Sequence, residues 1–147
     1  MLRSIKLLAA VAAVGLMTGC ASVPMASEAD DAQAKSFSPP PADKAGVYIY
    51  RNSNFGSALK KTVFIDGEAI GETGPKTYFY ALVEPGERKL STQSEFGEND
   101  LALTAEAGQN YYVRQYIKMG VITGGSGLEQ VDAEEGQAGV LECKRAQ

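Results

Sequence analysis

Between residues 47 and 117 the chain breaks into short runs of β-branched and aromatic residues separated by turn-forming pairs, a pattern that restricts its fold more than any other feature. The runs are 47–50, 62–65, 77–83, 88–92, 101–104 and 111–117. Such residues suit a pleated, half-buried surface, because branching at Cβ crowds the side chain against a helical turn. Asp66-Gly67 separates two runs and is a two-residue hairpin signal, since a type I′ turn needs positive φ at both positions. Pro85-Gly86 suits a type II turn, and Ala107-Gly108 suits a reversal before the last long run. The expected fold is all-β, a small antiparallel β-sandwich or partial barrel. A short C-terminal helix is expected over 134–144, acidic early and basic late as the helix dipole favours, with Gly136 and Gly139 opposing it.

Alternation places Val63, Ile65, Leu82, Leu90, Leu101, Leu103, Val113 and Ile117 in the core and leaves the parity of Val47 and Ile49 open. It also sends neighbouring tyrosines such as Tyr111-Tyr112 to opposite faces, which predicts that one of each pair points outward.

The N-terminus follows a different grammar. Arg3 and Lys6 precede an apolar run over 7–17, then Thr18-Gly19-Cys20. That run is well short of the roughly 18 to 20 apolar residues that span a bilayer, so it reads as an export signal over 1–19. Met17-Thr18-Gly19-Cys20 resembles the lipobox of bacterial lipoproteins, with Met17 where Leu is typical. The resemblance implies a diacylglycerol thioether on Cys20 and, after cleavage, an acylated amine: a membrane anchor without a transmembrane helix. Ala21 rather than Asp after the cysteine implies the outer membrane, facing the periplasm. Without Arg3 and Lys6, 12 basic residues face 18 acidic ones, a net charge of −6. An acidic surface with no Lys/Arg stripe argues against a nucleic-acid partner.

Residues 20–44 are rich in Ala, Ser, Asp and Pro, with Phe37 the only aromatic. Composition predicts a flexible linker with a reach of roughly 25 to 30 Å. Residues 45–147 have the length of one ordinary domain.

Three motifs carry a second resemblance: V-F-I-D-G-E-A-I-G-E over 63–72, V-E-P-G-E-R-K-L over 83–90 and A-G-Q-N-Y-Y-V-R over 107–114. Together they resemble bacterial lipoproteins carrying the domain of unknown function 2846, and the first two are similar to the PEGA domain. The resemblance implies a compact β-sandwich exposed at the cell envelope. It implies no catalytic residues.

The residues themselves narrow the chemistry. Histidine is absent, which removes Ser-His-Asp and Cys-His catalysis and the imidazole metal ligands. Of the two cysteines, Cys20 would carry lipid; Cys143 reads as a buried small hydrophobe beside Val140 or Leu141, with a reactive thiol or intermolecular disulfide as the alternative. Asp66, Glu68 and Glu72 bracket the first hairpin, and two of them on one face would resemble a carboxylate pair if the strand stayed regular. Asp132, Glu134 and Glu135 lack the spacing of an EF-hand. Gly120 to Gly127 lacks the lysine of a phosphate loop and reads as a flexible hairpin loop.

No catalytic, cofactor-binding or metal-ligating residue is assigned. Met119, Val121 and Ile122 beside the glycines are the candidate partner contacts. The expected function is that of a non-enzymatic, lipid-anchored, periplasm-facing interaction or structural module. The rival expectations are a glycan or small-ligand module using exposed tyrosines and, behind it, a carboxylate-based hydrolase.

Overall fold

A computed structural model describes residues 22–120, 122 and 124–147. Cys20, the signal over 1–19 and Val121 lie outside the described residues. The fold is all-β, two sheets packed face to face without closing into a barrel. One sheet holds β1 (Ala45–Arg51), β4 (Thr77–Val83), β7 (Asn110–Lys118), β8 (Gly125–Val131) and the two-residue β9 (Lys144–Arg145), in the order β8-β7-β1-β4-β9. The other holds β2 (Lys61–Ile65), β3 (Glu68–Thr73), β5 (Gly86–Ser94) and β6 (Gly97–Ala105), in the order β3-β2-β5-β6. The antiparallel expectation holds for most pairs, but β1 runs parallel to β7, and β4 parallel to β9. The chain returns to β1 after visiting the second sheet, and this crossover is what makes a parallel neighbour available.

Local turn chemistry sets the hairpins. Asp66 and Gly67 both have positive φ, 50° and 82°, as a type I′ turn demands. The Asp66 carboxylate also accepts the Lys89 N–H at 2.9 Å and pairs with Arg88 at 3.1 Å, which ties the turn to β5. Across the β2–β3 pair the register slips between Val63 and Phe64, opposite Gly71. Gly71 has φ 149°, and a Cβ there would lie 2.6 Å from the Phe79 ring, so a bulge and a close approach both select glycine.

Every residue of β1 is buried, because its sheet is covered on both faces. Val47 and Ile49 join Val63, Leu90, Leu103 and Val113 between the sheets. Ile65 and Leu101 are half-buried against that core, and Ile117 is buried. Tyr48, Tyr50, Tyr78 and Tyr112 occupy the opposite face, buried under α1 (Glu28–Ala34) and α2 (Ala133–Leu141). These tyrosines do lie opposite the sandwich core, but the helical layer removes them from solvent, which corrects the expectation of outward tyrosines.

Leu82 is a second correction. It shares the helix-side face of β4 with Tyr78 and Tyr80 and is 49 % exposed, while Phe79 and Val83 are buried. Both faces of this strand carry apolar groups, so hydrophobic alternation alone does not say which one faces the sandwich.

The segment read as a tether is the third. Met25 forms an antiparallel bridge with Ala146, and α1 docks on the sheet. Ser27 caps α1 by accepting the Asp30 N–H at 3.1 Å, and Glu28, Asp30 and Asp31 complement the helix dipole. Seven residues are too few for a stable isolated helix. Long-range bonds hold it: Tyr78 Oη donates to Asp31 Oδ1 at 2.8 Å and Tyr48 Oη to the Ala34 carbonyl at 2.7 Å. Phe37, at φ 53°, sets its ring against Tyr48 and Tyr112, with centroids 5.5 and 6.0 Å away. A segment poor in apolar residues folds here because the sheet supplies the apolar surface. The described part of the expected linker over 20–44 is therefore largely integrated into the domain.

The C-terminal helix forms as α2, with Asp132 as its N-cap. Part of the glycine-rich stretch is not loop, since Gly125, Ser126 and Gly127 open β8. Gly127 allows the Tyr116 ring to lie across the strand, at 2.5 Å from where a Cβ would stand.

Candidate functional site

Three loops meet at the end of the sandwich where β1 and β7 terminate. The first is 52–60, the second is the β5–β6 hairpin tip at Glu95 and Phe96, and the third carries Met119, Gly120, Ile122 and Gly124 among the described residues. Their roots are polar and buried. Arg51, fully buried, donates to the carbonyls of Leu59 at 2.7 Å, Gly56 at 2.9 Å and Thr73 at 3.2 Å. Burial without a carboxylate partner lowers its pKa; the three carbonyls offset part of that cost through the terminal nitrogens and leave the buried Nε without a partner among the described residues. The bonds fold the first loop back on its own strand.

Lys61 does the same for the third loop, donating to the Gly124 carbonyl at 2.8 Å. Beneath it, Gln115 donates to Thr92 Oγ1 at 2.7 Å, and the Thr92 and Ser126 hydroxyls lie 2.8 Å apart. Asn99 Nδ2 donates to the Ser126 carbonyl at 2.6 Å, and Gln115 accepts from the Thr73 hydroxyl. A satisfied buried network of this kind fixes one backbone arrangement, because each polar group loses its partner if the loop shifts.

Above these polar roots the loops expose apolar side chains. Met119 is 89 % exposed, Phe96 80 %, Ile122 77 % and Phe55 54 %. Among the described residues, only three other large hydrophobic side chains are exposed: Met25, Leu82 and Leu141. Most such exposure is therefore concentrated at one end. Phe55, Leu59, Ile117, Met119 and Ile122 line a cleft of about 320 Å³ there. The Glu95 carboxylate accepts the Ile122 N–H and joins the Phe96 hairpin to the third loop.

Of the residues singled out in the sequence, Met119 and Ile122 come together, and Val121 between them is outside the described residues. Phe55, Leu59 and Phe96 were missed. They stand among loop residues with no periodicity; the fold brings Phe55 and Leu59 into the cleft with Met119 and leaves Phe96 exposed on the neighbouring hairpin tip.

Other candidate chemistry is placed elsewhere. The bulge at Gly71 interrupts the regularity that would align Glu68 with Glu72, and Asp66 is engaged in its turn. Among the described residues, no group of three or more Cys, Asp or Glu side chains could hold a metal ion. Cys143 is buried with Val140 and Tyr50, and its burial pushes the thiol pKa up to about 12. A thiol so far from ionising is a poor nucleophile. No helix among the described residues is long and apolar enough to cross a membrane.

The fold and its loop end define a small β-sandwich with an α layer and exposed apolar side chains at one end. The chain belongs to the family described as "Protein of unknown function (DUF2846)", whose model matches residues 41–126. That match covers the strands from β1 through β7 and the start of β8, and leaves out both helices. A protein of Haemophilus influenzae described as "Uncharacterized protein" is 47 % identical over 131 residues, covering 89 % of this chain and 78 % of that one. No solved structure matches.

Proposed function

We propose that the protein is a lipid-anchored envelope protein whose non-enzymatic, periplasm-facing sandwich binds a protein partner through its apolar loop end. The observation that carries the reading is the convergence of Phe55, Met119 and Ile122, from two loops with buried polar roots, on one cleft, with Phe96 exposed on the hairpin that Glu95 ties to the same end. Contiguous apolar exposure costs solubility unless a partner covers it, and aromatic groups at the centre of a contact supply much of its energy. The lipobox-like Met17-Thr18-Gly19-Cys20 and the resemblance to PEGA-type surface modules support the anchor and the location.

The course of the chain supports an outward-facing contact. The N-terminal segment pairs antiparallel with the chain at Ala146, so tracing back from Ala26 through Met25 to Pro24 follows the β9 chain from Arg145 to Gln147, away from the end that bears the loops. An anchor at Cys20 would thus enter at one end and present the loops at the other.

Two measurements test this reading. Mass spectrometry of the processed chain should find acylated Cys20, and Cys20→Ser should release the protein from the outer-membrane fraction. An unmodified Cys20 in the wild type would remove the anchor. Ile122→Asp should leave thermal stability nearly unchanged but weaken partner capture by tenfold or more, since a charge must be desolvated in the contact. Unchanged capture would make the loops simple connectors.

A further inference from the structure

β4 is paired along its whole length on one side and along less than half of it on the other. β1 covers it from Thr77 to Val83, whereas β9 pairs only with Thr77 and Tyr78. The Lys144 N–H donates to the Lys76 carbonyl at 2.9 Å and the Ala146 N–H to the Tyr78 carbonyl at 2.8 Å. By the alternation of an extended strand, the next main-chain groups facing that side are the N–H and C=O of Tyr80 and of Leu82. Among the described residues no strand takes them. The result is a notch in the sheet, closed at one end by β9 and open past Val83.

Its walls mix apolar and polar groups. On the helix side lies a cleft of about 310 Å³ lined by Pro39, Pro40, Tyr48, Tyr80, Leu82 and Arg145. On the sandwich side lies a second cleft of about 310 Å³, where Ile65 and Ile70 meet the end of β4 at Ala81 and Val83. Ile65 and Ile70 are only half-buried, because no strand covers them at this level. Acidic groups rim this second cleft. Asp66 pairs with Arg88 and Glu84 with Lys44, and Glu68 forms no ion pair among the described residues.

The other sheet edges are guarded in a way that this one is not. β3 carries Glu68 and Glu72, β6 carries Glu98 and Asp100, and β8 carries Glu129. Charge on an edge discourages strand addition. Phe79-Tyr80-Ala81-Leu82-Val83 has neither charge nor proline.

We propose that the notch beside Tyr80 and Leu82 receives an extended segment of a partner polypeptide as an added strand. The segment has apolar side chains at alternate positions and a flanking Lys or Arg. Main-chain pairing accounts for the polypeptide, the sandwich-side cleft at Ile65 and Ile70 for the apolar groups at alternate positions, the mixed helix-side cleft for the residues between them, and Glu68 for the basic flank. A second copy fits poorly, since its longer edge strands β3, β6 and β8 carry acidic groups that meet the acidic rim, and its basic edge β9 is only two residues long. This site is separate from the apolar loop end and does not depend on it.

The test uses the full-length protein in detergent micelles and the blocked peptide acetyl-Lys-Val-Thr-Val-Thr-Val-Lys-amide. Amide NMR should show saturable shifts at Tyr80 and Leu82, with hydrogen exchange of both slowed tenfold or more at up to about 1 mM peptide. A peptide with proline at its central position should lose the effect, because it cannot complete the ladder. Leu82→Lys should abolish binding while keeping the wild-type spectrum elsewhere. Leu82→Pro removes a donor facing the notch without removing a bond to β1, and should do the same. The proposal is overturned if Tyr80 and Leu82 do not respond, if Leu82→Lys binds as well as wild type, or if an all-glutamate-flanked peptide binds equally. Concentration-dependent self-association lost in Leu82→Lys would assign the notch to a second copy and overturn it too.

Discussion

Leu103 and Leu82 are chemically identical and separated by their surroundings. Leu103 has no exposure and packs between the sheets, so Leu103→Ala should cost about 2–5 kcal/mol, visible as a lower denaturation midpoint. Leu82 is half exposed at an unpaired edge, and Leu82→Ala should stay within about 0.5 kcal/mol of wild type. Gly139 makes the complementary case. Alanine is the better helix former by about 1 kcal/mol, yet a Cβ at this position would stand 2.2 Å from the Tyr50 ring. Overpacking of that kind typically costs about 1–3 kcal/mol, so Gly139→Ala should destabilise in urea titrations despite its helix propensity. A gain in stability would mean that α2 can lift from the sheet at little cost.

At the scale of elements, the Asp31 carboxylate is one of the main ties between α1 and the sheet. Burial works against the Asp31 charge and is the largest single influence on it. The hydrogen bonds from Tyr78 and Lys35, the Lys35 charge and the Arg145 N–H together outweigh it, and the pKa falls below the usual 3.8. A folded-state pKa below the unfolded value stabilises above the unfolded pKa, and that contribution is lost as pH falls through the folded one. Acidification below about pH 4 should therefore loosen α1 before the sandwich. Faster exchange of α1 amides, with β1 amides unchanged, is the expected record. Asp31→Asn should flatten the pH dependence.

The same element marks the limit of what the sequence discloses. The strands at 47–50, 62–65 and 77–83 and the Asp66-Gly67 turn were legible because branching and positive φ are local properties. α1 was not, because Tyr48 and Tyr78 hold it from more than ten residues away. β8 was hidden because Gly125 and Gly127 weigh against a strand unless a Tyr116 ring needs the space. Leu82 was misplaced because both faces of β4 are apolar. Met119 and Ile122 were legible as apolar residues beside glycines, whereas Phe55 and Phe96 gain meaning only from the fold.

For the whole molecule, the account divides the sandwich into an end where the chain enters and an end where apolar loops stand on buried polar roots. The proposed anchor at Cys20 would hold the loop end at a nearly fixed distance, because most of the described part of 20–44 is docked on the sheet. The most direct measurement is site-specific photocrosslinking in living cells, with a photoreactive residue at Met119, at Ile122 or at Glu129 on the exposed β8 edge. The account predicts one discrete partner adduct from Met119 and Ile122, lost in Phe96→Asp, and none from Glu129. Equal labelling at all three positions, or adducts confined to Glu129, would contradict it.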